Sequence, residues 1–354
     1  MKKIVGDRKM DHLKLVELSQ LMMSERDGRF DYEPMLGHHG GEAEDLACDF
    51  LGYRLQAPIW ISSMTGGSRR PSRKGEVSAG EINLRLARAV KEFGLGMSVG
   101  SCRRLLEEDG NKAWGDFDLR EIIGEELPFY ANLGVAQLEE AIRRQEVQKI
   151  VEMVERLRAS GLVVHVNPLQ EWFQPEGDRL EVRPLETLQK FLQQFPYKVI
   201  VKEVGQGMGP RSVKELLKLP LAALECSGFG GTNFSRLELL RAGSNHAHAH
   251  EHEGLVKVGH STEEMVALIR NSYKELSARG ELATHEFILS GGVRDFLDGH
   301  FLMNRLGYRC VFGFASGVLL HARKSYGDLQ KFLQQQIVGL KLARQFLYPR
   351  ESKD

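Results

Sequence analysis

Nowhere in its 354 residues does the chain hold an apolar run of the roughly 18 to 20 residues that a membrane-spanning helix requires, which excludes that class. Net charge is lacking too: 48 Lys and Arg balance 48 Asp and Glu, so a polyanion finds no overall attraction and nucleic acid is disfavoured as a partner. Cysteine is scarce. Cys48, Cys102, Cys226 and Cys310 lie far apart with no C-x-x-C pair, the pattern of reduced thiols in a cytoplasmic protein. Behind Lys2 and Lys3 there is no apolar core of about 7 to 15 residues, so a secretory signal is not expected.

Glycine is in surplus: 37 residues, where an average usage of about 7% would give about 25. The surplus collects at the ends of eight short apolar runs, 58–64, 94–101, 129–133, 162–167, 198–204, 221–227, 287–292 and 310–315. Between them lie segments with helical spacing, such as Val77, Ile82, Leu86, Val90 and Phe93. Buried parallel strands lose their polar alternation, so this repetition predicts an α/β chain folded as a single (β/α)8 TIM barrel, with an open doubly wound sheet as the alternative.

The barrel is expected over residues 57–327, with an insertion near 243–260 that carries His246, His248, His250 and His252. Residues 1–56 form an N-terminal extension, expected to begin with an amphipathic helix (Leu13, Leu15, Leu18, Leu21, Met22) and to continue as irregular polar chain. Residues 328–354 give a C-terminal amphipathic helix and tail, whose stripe from Leu329 to Phe346 is expected to dock on the barrel.

In a (β/α)8 barrel the active site is built at the carboxyl ends of the strands. Glycines there let backbone N–H groups close on a phosphate, which points to Ser290-Gly291-Gly292 and Ala315-Ser316-Gly317, at the usual phosphate position of this fold. Lys202 stands inside an apolar run, where a charge is costly without a ligand or partner, and Glu203 points to the opposite face. His165 and Asn167 share one strand face and are followed by Gln170-Glu171, of which Glu171 suits Mg²⁺ as a hard carboxylate ligand. Arg8, Lys9 and His12, read alone, are a solvated terminus.

Together the segments resemble the type 2 isopentenyl-diphosphate isomerase family. The matching residues are Arg8-Lys9-x-x-His12, Met64-Thr65-Gly66-Gly67, Gly100-Ser101-x-Arg103, Ala131-Asn132-Leu133-Gly134, His165-Val166-Asn167-Pro168-Leu169-Gln170-Glu171, Val201-Lys202-Glu203, Ser227-Gly228-x-Gly230-Gly231-Thr232 and Ser290-Gly291-Gly292-Val293-Arg294. The resemblance implies FMN contacted by Met64, Thr65, Gly66, Ser101, Asn132, Lys202, Ser227, Thr232, Gly291, Gly292, Ala315 and Ser316. It implies isopentenyl diphosphate held by Arg8, Lys9, His12, Arg103, His165, Asn167 and Gln170, with Mg²⁺ on Glu171 and with Gln170 and His165 nearest the chemistry. It also implies flavin reduction by NADPH and a homo-oligomer, tetramer or octamer. Cys102 and Glu225 depart from the family's usual glutamine and aspartate.

Two other functions compete. An FMN-dependent α-hydroxy-acid oxidase shares the barrel, but Ser244-Asn245-His246 follows a helical stretch instead of ending a strand. A metal-binding module would rest on the alternate histidines alone, and these read as a loop.

Overall fold

The computed structural model describes residues 8–40, 45–66, 77–107, 113–242 and 251–350. Eight parallel strands close into a barrel in chain order: β1 (Ile59–Ile61), β2 (Gly96–Ser98), β3 (Phe129–Gly134), β4 (Gly161–His165), β5 (Lys198–Lys202), β6 (Ala223–Glu225), β7 (Phe287–Leu289) and β8 (Cys310–Phe314). β8 pairs with β1 to complete the ring, Phe312 opposite Ile59 and Phe314 opposite Ile61. Each coincides with one of the eight apolar runs, although β3 ends one residue after its run and β4 begins one residue before its own; the runs overshoot most strands because their last residues bend into the loops. Helices fill the intervals, as in Ala79–Phe93, which Ser78 caps by accepting from Glu81 N and which Gly94 ends at φ +61°. Its Ile82, Leu86 and Val90 are buried against the strands.

The amino ends of the strands are closed by a hairpin, Cys48–Phe50 paired antiparallel with Tyr53–Leu55. Phe50 packs edge-on against Trp60, and Lys198 Nζ donates to the Leu51 carbonyl at 2.6 Å. The expected irregular chain before residue 57 is therefore in part a floor for the barrel. The site must lie at the opposite end.

The N-terminal helix also differs from expectation. It covers Arg8–Leu15 and stops there; Leu15 and, beyond the helix, Leu18, Leu21 and Met22 are exposed, so these four are not buried against the barrel. The C-terminal helix spans Tyr326–Phe346, starting two residues before the expected boundary, because Ser325 caps it by accepting from Asp328 N. It packs on the helices Phe296–Leu306 and Ser316–Lys324, closely enough that a Cβ on Gly339 would stand 2.3 Å from the Phe296 ring. The strand after it, Leu347–Pro349, pairs antiparallel with Phe30–Tyr32. Residues 243–250, with most of the histidine run, lie outside the described residues. No described helix is long and apolar enough to cross a membrane.

Candidate active site

Lys202 and Glu225, the last residues of β5 and β6, are register partners and are 5% and 0% exposed. They line one cavity with Met64 after β1, Ser227 and Thr232 after β6, Gly291 and Gly292 after β7, and Ala315 and Ser316 after β8. Eight of the residues expected around the cofactor thus share a cavity. Lys202 Nζ donates to the main-chain oxygen of Glu203 at 2.7 Å. The Glu203 carboxylate turns away to accept from the N–H groups of Gly205, Gln206 and Gly207, so the two side chains do not pair.

One side of the cavity is formed by a tight glycine turn and an uncapped helix start. Gly291 has φ +92°, and a Cβ there would stand 2.1 Å from Gly228 N, so no other residue fits. Thr262 Oγ1 pins this turn by donating to the carbonyls of Ser290 at 2.7 Å and Gly291 at 2.5 Å. Facing it, the helix Ser316–Lys324 begins without a side-chain cap, which leaves its first N–H groups and positive dipole end for a ligand.

Thr65, Gly66, Ser101 and Asn132 do not line this cavity but form its neighbouring wall. Gly100 N donates to the Thr65 carbonyl at 3.0 Å, and Cys102 N to the Asn132 carbonyl at 2.7 Å. Asn132 Nδ2 is bonded to the Val99 carbonyl at 3.1 Å, so its Oδ1 meets His165 Nδ1 at 2.7 Å. Burial, then the nearby Lys202 charge, push the His165 imidazole down to about 3 and keep it neutral.

A polar cluster follows β4 on the short helix Pro168–Phe173. Asn167 Nδ2 donates to Gln170 Oε1 at 3.1 Å and to Glu171 Oε1 at 2.9 Å, while its own Oδ1 is buried without a partner. Glu171 Oε2 accepts from Asp178 N at 2.9 Å. The Asp178 carboxylate holds Arg103 at 2.9 Å and Gln137 at 2.8 Å, which places Arg103 at the rim of this cluster. His12 is exposed, and the side chains of Arg8 and Lys9 lie outside the described ones.

Sequence reasoning missed Glu238. This carboxylate, 5% exposed, receives Gln170 Nε2 at 3.4 Å, Gln174 Nε2 at 2.9 Å and Arg241 at 2.9 Å. In the sequence, Glu238 and Arg241 look like an ordinary surface pair one helical turn apart, and nothing marks the carboxylate as buried.

No protein-family model matches the chain. An isopentenyl-diphosphate delta-isomerase of Rickettsia felis is 32% identical over 354 residues, covering 98% of this chain and 94% of that protein. One of Thermococcus kodakarensis is 36% identical over 199 residues, covering 56% and 51%. Among solved structures, the flavin-binding domain of baker's yeast flavocytochrome b2 is similar with a TM-score of 0.57 at 12% identity, covering 90% of this chain and 72% of that one. A mandelate oxidase with a monooxide FMN adduct is similar with a TM-score of 0.54 at 13% identity, covering 91% and 88%. At such identities the likeness to both solved structures is one of fold.

Proposed function

The chain belongs to the isopentenyl-diphosphate delta-isomerase family, and from that premise we propose that it interconverts isopentenyl diphosphate and dimethylallyl diphosphate with FMN held at the carboxyl ends of the barrel strands. The observation that carries the reading is the cavity itself, which joins a buried Lys202 to a glycine-built anion cradle. Ser227, Thr232, Gly291, Gly292, Ala315 and Ser316 suit the flavin phosphate, and Lys202 suits the electron-rich edge of the ring. Met64, Thr65, Gly66, Ser101 and Asn132 flank them. Bound and reduced, with NADPH as the electron source, the flavin supplies the acid and base for moving a proton between the allylic carbons.

The chain's own groups hold and orient the substrate. Glu171 would hold Mg²⁺ together with diphosphate oxygens and water. Asn167 offers its free Oδ1 beside that carboxylate. Arg8, Lys9, His12 and Arg103 would supply the positive charge for the diphosphate. Gln170, fixed from one side by Asn167 and from the other by Glu238, stands next to the reacting end. His165, neutral and steadied by Asn132, completes this wall.

The reading includes a cytoplasmic location, where the four free cysteines stay reduced, and a tetramer or octamer, in which neighbouring copies cover the exposed Leu18, Leu21 and Met35. Incubation with FMN, NADPH, Mg²⁺ and isopentenyl diphosphate should yield dimethylallyl diphosphate. Absence of product with the flavin bound and reduced would overturn the proposal, and peroxide release from lactate or glycolate would favour a hydroxy-acid oxidase instead.

A further inference from the structure

Two buried polar atoms in the flavin cavity have nothing to bond. Glu225 Oε1 accepts from Ser290 Oγ at 2.8 Å, while Oε2, on a side chain with no exposure, has no partner. Ser62 Oγ, on a residue 4% exposed, is unpartnered as well. Both residues line the cavity, and Gly313 leaves room for Ser62 and for Ser290, the partner of Glu225: a Cβ there would stand 2.6 Å from Ser62 Oγ and 2.9 Å from Ser290 Cβ.

An unsatisfied carboxylate oxygen in such a place calls for a hydroxyl or N–H donor, and it repels a phosphate. Around the barrel, Glu225 on β6 lies between Lys202 on β5 and the Gly291–Gly292 turn after β7. With the ring at the lysine and the phosphate at the turn, the part of FMN that crosses β6 is the ribityl chain, a run of hydroxyl donors. We infer that Glu225 Oε2 accepts a hydrogen bond from a ribityl hydroxyl of FMN, with the Ser62 hydroxyl as a second contact to the same chain. The inference rests on the FMN reading above and adds to it a carboxylate that selects the polyol linker.

The test is a cycle of protein and ligand changes read by quenching of flavin fluorescence on titration into the apoprotein. The ligands are FMN and its 2′-, 3′- and 4′-deoxy analogues; the proteins are the unaltered chain and Glu225→Gln. Glu225→Gln should weaken FMN binding by roughly tenfold or more, and one deoxy analogue should cost the unaltered chain a similar factor. Glu225→Gln with that analogue should lose nothing further. Undiminished FMN affinity in the variant, or losses that simply multiply for every analogue, overturns the inference. If Glu225→Gln fails to fold, the analogue series on the unaltered chain decides: equal affinity for all analogues refutes it, and loss for one hydroxyl that Ser62→Ala alone does not reproduce supports it. An unaltered chain that takes up no FMN would refute the flavin reading itself, and the inference with it.

Discussion

Asn132 Oδ1 lies 2.7 Å from Nδ1 of His165, and because Asn132 Nδ2 is committed to the Val99 carbonyl, the hydrogen-bond network assigns the imidazole proton to Nδ1. The ring that begins the His165-x-Asn167 motif is thus a neutral group with a free lone pair on Nε2.

This neutrality has a pH signature. Burial and the Lys202 charge push His165 down to about 3, whereas an unfolded histidine titrates near 6.5. Between these values the unfolded chain binds the extra proton, so the stability contribution is complete above about pH 6.5 and is lost as pH falls toward about 3, at up to about 1.4 kcal/mol per pH unit. Urea unfolding from about pH 4 to about pH 8 should show a shallower acid loss for His165→Gln than for the unaltered chain. Parallel curves would contradict the assignment.

Glu171 accepts from Asn167 and from Asp178 N, which aims its carboxylate without neutralising it. Glu171→Gln keeps the shape and removes the charge. Turnover should fall by roughly two orders of magnitude or more, about 3 kcal/mol of transition-state stabilisation, and its dependence on added Mg²⁺ should flatten. Flavin should stay bound; its loss would mean that Glu171 belongs to the cofactor cavity.

Gln170 and Glu238 are separated in sequence by 68 residues and joined by one hydrogen bond. Gln170→Ala is expected to abolish most turnover with flavin retained. Glu238→Gln, a change in a positioning residue, should lower kcat by about tenfold with KM little altered. Equal losses in flavin affinity and kcat would show that Glu238 only supports the fold.

Two glycines give opposite expectations for the same substitution. Gly291→Ala places a Cβ 2.1 Å from Gly228 N at φ +92° and should weaken FMN binding by at least about tenfold as the turn shifts. Gly115→Ala meets nothing within 4 Å and should change neither flavin affinity nor stability by more than about 0.5 kcal/mol. Calorimetric titration of both variants with FMN checks the pair.

The barrel was legible because each strand is buried on both faces and ends in a turn that wants small residues; 129–133 and Phe129–Gly134 differ by a single residue. Lys202 announced itself as a charge in an apolar run. Other features left no local trace. The pairing of Phe30 with Pro349 joins positions 319 apart and imposes no periodicity on either segment. The spacing of Leu13, Leu15, Leu18, Leu21 and Met22 suggested a helix face, but the helix ends at Leu15, and the side chains of Leu15, Leu18, Leu21 and Met22 are exposed. Glu238 is buried by the loop geometry that brings its helix against Pro168–Phe173, which no pattern within that helix encodes.

The ribbon between Phe30–Tyr32 and Leu347–Pro349 also sets an order of events during synthesis. Arg350 N donates to the Arg29 carbonyl at 2.9 Å, Arg350 pairs with Asp31 at 2.7 Å, and Arg29 pairs with Asp298 beyond β7. The eight barrel strands leave the ribosome before these last residues do, so the barrel can close while the segment that leads back to Arg8 and Lys9 is still unfastened. A chain cut back to residue 346 would keep all eight barrel strands and lose the pairing that fastens this arm.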